Sequence, residues 1–333
     1  MKWFFALNQA SGNYTHFADM AKVAVHSAQQ HTSLKPHFIY DGQENELTQW
    51  MRTRGVQIIF RRSWLYPELS RLAQAKNRDN IRIIGAGTFM RLEIPTIAQE
   101  MGFGDEIVLY TDCDVLFLSD VVPALSSTKP RFFSFAPEED PNNNLEVNCG
   151  VMLMNLPNLM TQEAAFRRFV SRHLEQCCDW AWDQTAYTWF YHPLMRKLLA
   201  AKVLDHRSAR LCRALYKRGL GPKPSWNALP VEYNWKPYWE NSQRARIVHF
   251  HGPKPYERDI LTSENPPAHL HHLLPMMRGS YSELSDLWMQ TLRETTALPV
   301  AWSTPPRSLA TSMPSYKRPA CFVPDVLQTH SKT

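Results

Sequence analysis

Two aspartates, Asp112 and Asp114, are the residues of this chain whose type and spacing most suggest chemistry. They follow a short apolar run at 107–111 and precede another at 115–117. In an extended strand alternate side chains share a face, so both carboxylates would point the same way, with Cα atoms about 6.5 Å apart. Such a pair can bind a divalent cation together with phosphate oxygens. A polar turn between two buried strands fits the stretch equally well, and Cys113 is predicted to turn away and pack.

A histidine and a lysine follow another apolar strand, predicted at 246–250. His249 would add an imidazole to the two carboxylates, and a mixed oxygen and nitrogen site favours Mn²⁺ or a related ion over Ca²⁺. Lys254 lies five residues later, beyond Gly252, in a loop stiffened by proline. A lysine near a metal and a glycine backbone can hold a pyrophosphate. A structural histidine and a solvated lysine are the ordinary alternatives.

Strand-like runs alternate with helical periodicity from residue 3 onwards, which predicts βαβ units and a mostly parallel sheet of the α/β class. Ligands of such sheets collect at the carboxyl ends of the strands, where the polar loop 8–14 and the two aspartates lie. The segment 61–80 carries several cations and no long apolar pattern, which predicts a connecting segment. Strands are predicted at 3–7, 37–40, 56–60, 107–111, 131–136, 147–156 and 246–250.

Composition narrows the class of protein. The chain has 333 residues, of which 44% are hydrophobic, so it is expected to be globular. A net charge of +6 suits an anionic ligand or an anionic membrane surface, and is too small to indicate nucleic acid. Six cysteines without a CxxC pair suggest free thiols in a reducing compartment. No apolar run approaches about 18 residues and the N-terminus resembles no signal peptide, so a cytoplasmic location is expected.

Two segments stand apart from this pattern. Residues 207–223 contain six arginines or lysines and no acidic residue, so they could contact a phosphate or the inner face of a membrane. A solvated loop is the default interpretation of such a segment. Residues 296–333 are rich in proline, serine and threonine, which predicts a poorly ordered tail.

Five short segments together resemble one known family. In chain order they are R-L-E-I-P within 88–95, D-C-D at 112–114, N-C-G-V at 148–151, D-Q at 183–184 and H-F-H-G-P-K-P at 249–255. Their order and spacing resemble glycosyltransferase family 8, the GT-A group of glycogenin and the bacterial lipopolysaccharide galactosyl- and glucosyltransferases. The resemblance covers roughly residues 1–260. It departs from the family at 252–254, which is one residue shorter, and at 185–188, where the usual asparagine is missing.

The resemblance implies a metal-dependent, retaining transfer of a hexose from a UDP-sugar, galactose or glucose first, to a hydroxyl of a glycan, lipid-linked or protein acceptor. It implies a Mn²⁺ or Mg²⁺ site formed by Asp112, Asp114 and His249. It also implies donor contacts from Asn8, Tyr14 (against the uracil), Arg91, Asn148, Gly252 and Lys254, the phosphates facing Arg91 and Lys254. Asp183 and Gln184 would line the sugar pocket as the candidate catalytic residues, and no nucleophile is assigned.

The same features leave two other classes open. One is a non-catalytic nucleotide-sugar-binding protein on the same fold. The other is a Rossmann oxidoreductase, but the glycine pairs at 85/87 and 102/104 do not complete GxGxxG after the first strand. The expected organisation is a GT-A domain at 1–260, a helical extension at 261–295 and the tail at 296–333.

Overall fold

A computed structural model describes residues 1–104, 106–144, 146–201 and 222–295, with residues 208, 211, 215 and 220 singly between them. The tail predicted at 296–333 and most of the basic segment 207–223 therefore lie outside the described residues.

A seven-stranded mixed sheet organises the described chain, in the order β3-β2-β1-β4-β7-β6-β8. Four of its neighbouring pairs are parallel, and only β7 runs antiparallel to its neighbours β4 and β6. The predicted α/β class and mostly parallel sheet are confirmed. β5 and β9 form a separate antiparallel pair. The strands are β1 (Lys2–Asn8), β2 (Lys35–Asp41), β3 (Gln57–Phe60), β4 (Ile107–Thr111), β5 (Val115–Phe117), β6 (Phe133–Pro137), β7 (Val147–Asn155), β8 (Asn227–Ala228) and β9 (Ile247–His249).

Helices cover both faces of this sheet. They are α1 (Tyr14–His31), α2 (Glu46–Thr53), α3 (Tyr66–Lys76), α4 (Asp79–Thr88), α5 (Ile94–Glu100), α6 (Val122–Ser127), α7 (Leu156–Arg172), α8 (Leu174–Asp179), α9 (Trp182–Phe190), α10 (Pro193–Ala200), α11 (Arg258–Leu261) and α12 (Tyr281–Glu294). Short 3-10 helices lie at Phe89–Glu93, Val231–Tyr233, Ser242–Arg244, Pro255–Glu257 and Ala268–Met276.

The prediction of a connecting segment at 61–80 is wrong, because α3 and the start of α4 occupy it. Leu65, Leu69 and Ala73 recur every four residues and are buried, so they form one helical face against the sheet. Of the arginines and lysines of the segment, Arg71 lies between these positions and the others lie on either side of them. The high charge of the segment concealed a short amphipathic pattern.

Strand alternation divides the core into two layers. Trp3 and Phe5 face the layer that contains α1 and α12, while Phe4 between them faces the layer of α3, α5, α7 and α9. All three side chains are fully buried. Both layers therefore pack against β1. The ends of the strands extend beyond the two layers, where polar side chains can lie.

Residues 261–295, expected to be a separate helical extension, contribute to the first of these layers. Trp288 of α12 is 1% exposed and packs in the same cluster as Trp3 and Phe5. We expect Trp288→Ala to lower the free energy of unfolding by about 3–5 kcal/mol, because it removes a large buried side chain and leaves a cavity. Urea denaturation measures this difference. The exposed Ser282→Ala on the same helix is the control, and equal stability of the two variants would show that α12 does not support the core.

Candidate active site

Strand pairing brings the three predicted metal ligands together. Asp112 and Asp114 lie in the turn between β4 and β5, and the antiparallel register of β5 with β9 pairs Val115 with His249. Nε2 of His249 lies 3.3 Å from Oδ1 of Asp114 and 3.9 Å from Oδ2 of Asp112. One ligand atom from each residue lies within 4.8 Å of the other two. Cys113 is buried and donates its thiol to the carbonyl of Ala6, as the prediction of a packing residue requires.

The chemistry of these three side chains fits a divalent metal. Burial lowers the pKa of His249 to about 4, so the imidazole is neutral and can act as a ligand. Burial opposes ionisation of Asp114, but the ammonium group of Lys254 outweighs it and lowers the pKa of that carboxyl. Oδ1 of Asp114 is buried and has no hydrogen-bond partner among the described residues. Two carboxylates and one imidazole match the donor set that Mn²⁺ or Mg²⁺ accepts.

Gly150 leaves the space that His249 occupies. A Cβ at this position would lie 2.0 Å from Cε1 of the imidazole, so no other residue fits unless the ring moves. The carbonyl of Gly150 also accepts a hydrogen bond from the backbone N–H of Asp112, at 2.7 Å. The group that approaches this glycine is therefore a candidate metal ligand.

Two buried residues that the sequence analysis missed, Asn234 and Lys236, orient His249. Oδ1 of Asn234 lies 2.9 Å from Nδ1 of the imidazole, so Nδ1–H donates to it and Nε2 keeps its lone pair for the carboxylate side. Nζ of Lys236 donates to Oδ1 of Asn234 at 2.6 Å and to Oδ1 of Asn148 at 3.1 Å. Both residues are fully buried, and burial lowers the pKa of Lys236 to about 7. The only sign of these two residues in the sequence is that they lie two positions apart in an extended stretch, so their side chains share a face.

Arg91 lies between Asp112 and Asp183 and forms an ion pair with each of them. It comes from the 3-10 helix Phe89–Glu93, is 3% exposed, and lies 2.8 Å from Asp112 and 2.5 Å from Asp183. Its guanidinium stacks on the ring of Tyr110 and donates to the carbonyl of Cys149. Arg91 is therefore a buried residue of the site and not a solvated surface charge. Burial raises the pKa of Asp183 to about 6 although Arg91 opposes this shift.

Gln184 lies beside Asp183 in the first turn of α9 and faces a second polar group. Its side-chain oxygen accepts from the N–H of Cys149 at 3.2 Å, and its Nε2 lies 3.3 Å from both carboxylate oxygens of Glu138. Glu138 also lies 3.5 Å from Nε2 of His251. Glu138 lies directly after β6, and no local pattern in the sequence indicates that it meets the start of α9.

The remaining predicted donor residues differ in whether they contact the candidate metal ligands. Nζ of Lys254 is 2.7 Å from Oδ2 of Asp114, so it joins the metal-ligand candidates directly. Gly252, before it, has a φ of +94°, a conformation that favours glycine. Tyr14 instead bonds the hydroxyl of Tyr40 at 2.8 Å. Asn8 is buried and donates to the carbonyl of Ile83 at 3.2 Å, so it holds the loop after β1 against α4.

Fold and site together define an α/β protein with polar side chains gathered at the carboxyl end of its central strand. Its architecture is that of the GT-A glycosyltransferases, as one solved structure shows. The galactosyltransferase LgtC, solved in complex with donor and acceptor sugar analogues, superposes with a TM-score of 0.53 over 90% of this chain and 98% of its own, at 15% identity.

A second similar structure is the apo form of the glycosyltransferase GlyE of Streptococcus pneumoniae TIGR4, with a TM-score of 0.49 and 13% identity. It matches 91% of this chain, which spans 61% of GlyE. No family model and no curated protein matches the sequence. Among the described residues, no helix is both long and apolar enough to cross a bilayer.

We expect Gly150→Ala to lower the affinity for Mn²⁺ at least tenfold, because the added methyl group displaces the His249 ring. Isothermal titration of the metal alone measures this affinity. Gly12→Ala is the matched control, since its Cβ would meet nothing within 4 Å. Unchanged affinity in Gly150→Ala would show that the imidazole is not a ligand.

Replacing Lys236 by Met tests the orientation of His249. The change removes two hydrogen bonds that fix Asn234 and Asn148, and we expect Mn²⁺ affinity to fall about tenfold because groups behind metal ligands have effects of that size. Lys129→Met, on an exposed lysine, is the control. Circular dichroism should show the same helix content in both variants. A loss of affinity in both would mean that charge alone, and not orientation, is responsible.

Proposed function

We propose that this chain is a metal-dependent, retaining glycosyltransferase of family 8 type, which moves a hexose from a UDP-sugar to a hydroxyl acceptor. Galactose and glucose are the first candidates for the sugar. The observation that carries the proposal is the cluster of Asp112, Asp114 and His249 at the strand ends of a GT-A fold, with two cations beside it. The likeness of fold to LgtC, a galactosyltransferase solved with donor and acceptor sugar analogues, supports it.

Charge is the physical reason for this assignment. Breaking the bond between a sugar and a diphosphate leaves negative charge on the departing nucleotide, and a fixed array of cations stabilises that charge. In this proposal Asp112, Asp114 and His249 would hold Mn²⁺ or Mg²⁺, and the ion would supply a Lewis acid for the phosphates. Lys254 contacts Asp114 and Arg91 contacts Asp112, so both would add positive charge beside the phosphates.

The sugar would occupy the space next to Asn148, Asp183 and Gln184. Asn148 is fixed by Lys236, Asp183 by Arg91, and Gln184 by the backbone of Cys149, so each polar group enters the reaction already oriented. Groups that are already oriented stabilise the charge that develops on the sugar effectively, because they need no free energy of reorganisation during the reaction. Tyr14 is proposed to lie against the uracil, with Asn8 and Gly252 shaping the loops around the donor.

The acceptor, the cytoplasmic location and the membrane contact through 207–223 stay predictions from the sequence. A non-catalytic nucleotide-sugar-binding protein is the second candidate, since the same residues would bind a donor without transferring it. The two candidates differ in turnover, because only a transferase releases UDP from its donor over time.

Asp114→Asn should lower kcat/KM for UDP release at least about 100-fold, because it removes a buried ligand charge on which the leaving-group site depends. Release of UDP from UDP-galactose and UDP-glucose with Mn²⁺ is the measurement. Asp259→Asn, on a side chain 89% exposed, is the control. A wild-type protein that saturates with either donor and releases no UDP would be a binder and would contradict the proposal.

A further inference from the structure

A second concave site lies at the opposite end of β6 from the metal-ligand candidates. Arg131 and Phe132 line it just before β6 begins, whereas β6 ends at Pro137, next to Glu138 of the first site. The six residue steps of extended chain from Phe132 to Glu138 separate the two sites by about 20 Å. The cavity has a volume of about 490 Å³, within the range of small-molecule sites.

Three cations line this cavity, and no acidic residue is among the lining residues in the described part of the chain. Arg131, Arg196 and Lys197 are exposed and line it, and none forms an ion pair within the part of the chain that the structure describes. Unpaired exposed arginines also occur singly, at Arg168, Arg172 and Arg244 among the described residues, so the distinguishing feature here is that three cations line one concavity. Unpaired cations gathered around one concavity favour an anionic ligand.

Aromatic rings hold two of these cations in place. The guanidinium of Arg196 lies 4.8 Å from the ring centre of Phe190, and that of Arg131 lies 5.4 Å from that of Phe132. A guanidinium that stacks on a ring keeps its N–H groups free in its own plane, where they can donate to a carboxylate or phosphate. The anion-binding groups are therefore partly ordered before a ligand arrives.

The cavity wall also offers uncharged hydrogen-bonding groups. Gln162 and Ser225 line it, and both residues are partly exposed. Tyr191 lines it too, but its hydroxyl is inaccessible to water. None of the exposed large hydrophobic side chains in the described chain belongs to this lining, which argues against an acyl chain or a membrane surface.

We propose that this cavity, formed by α7, α9, α10 and the start of β6, binds an anionic saccharide, the carboxylate or phosphate pairing with Arg131, Arg196 and Lys197. The neutral wall groups suit sugar hydroxyls. Where the proposed transferase function holds, the site would bind a remote part of the acceptor glycan and so select acceptors by charge. Binding itself does not depend on that function, because the two sites share no residue.

The test is isothermal titration of the full chain without metal or UDP-sugar. The probes are a hyaluronan tetrasaccharide for carboxylates, glucose 6-phosphate for phosphates and maltotetraose as the neutral comparison. We expect at least one anionic probe to bind tenfold or more tightly than maltotetraose. The double variant Arg196→Gln/Lys197→Gln should lose at least tenfold of that affinity, whereas the exposed Arg244→Gln should lose none.

Three results would overturn the proposal. These are equal binding of neutral and anionic probes, unchanged binding in the double variant, and sedimentation with phosphatidylglycerol vesicles that depends on Arg196 and Lys197 while no saccharide binds. Thermal unfolding of each variant confirms that the exposed substitutions leave the fold intact. Saccharide binding with no UDP release from any donor would reject the transferase function and leave the site standing.

Discussion

Opposite charges buried at the end of β4 are the constraint on which the rest of the site depends. Asp114 and Asp183 are almost inaccessible to water, and each lies against a basic side chain, Lys254 and Arg91 respectively. An isolated buried charge costs several kcal/mol, so these groups are stable only as a set. The basic residues predicted to face a ligand thus also hold the protein's own carboxylates in position.

Oriented polar groups extend this set away from the aspartates. His249 receives its orientation from Asn234, Asn234 is bonded by Lys236, and Lys236 also bonds Asn148. One buried ammonium group therefore links a candidate metal ligand to a residue proposed to contact the sugar. Removal of any member leaves another buried polar atom without its partner, which is why such networks are retained or lost as a unit.

The sequence predicted the sheet because alternating apolar runs depend on local pattern alone. It also predicted that Asp112, Asp114 and His249 converge, since each follows an apolar strand. It failed at 61–80, where cations concealed the helical spacing of Leu65, Leu69 and Ala73.

Other features depend on contacts between distant parts of the chain. The pairing of Arg91 with Asp183 and the burial of Lys236 need long-range packing that no local pattern records. Glu138 meets Gln184 only because its loop lies against the start of α9. Local spacing therefore identified the candidate ligands, while the groups that orient them came from tertiary structure alone.

The pairing of β5 with β9 has a consequence for folding. Both aspartates are in place once the first 114 residues are made, but the imidazole belongs to a strand that begins at Ile247. Contacts of such large sequence separation form late, because closing a long loop costs entropy before the contact stabilises anything. A nascent chain thus presents two carboxylates while a further 135 residues, from 115 to 249, are made, and only then gains the third candidate ligand. Occupancy of all three candidate ligands by a metal would therefore mark a molecule in which β9 has paired with β5 and distinguish it from a partly folded one.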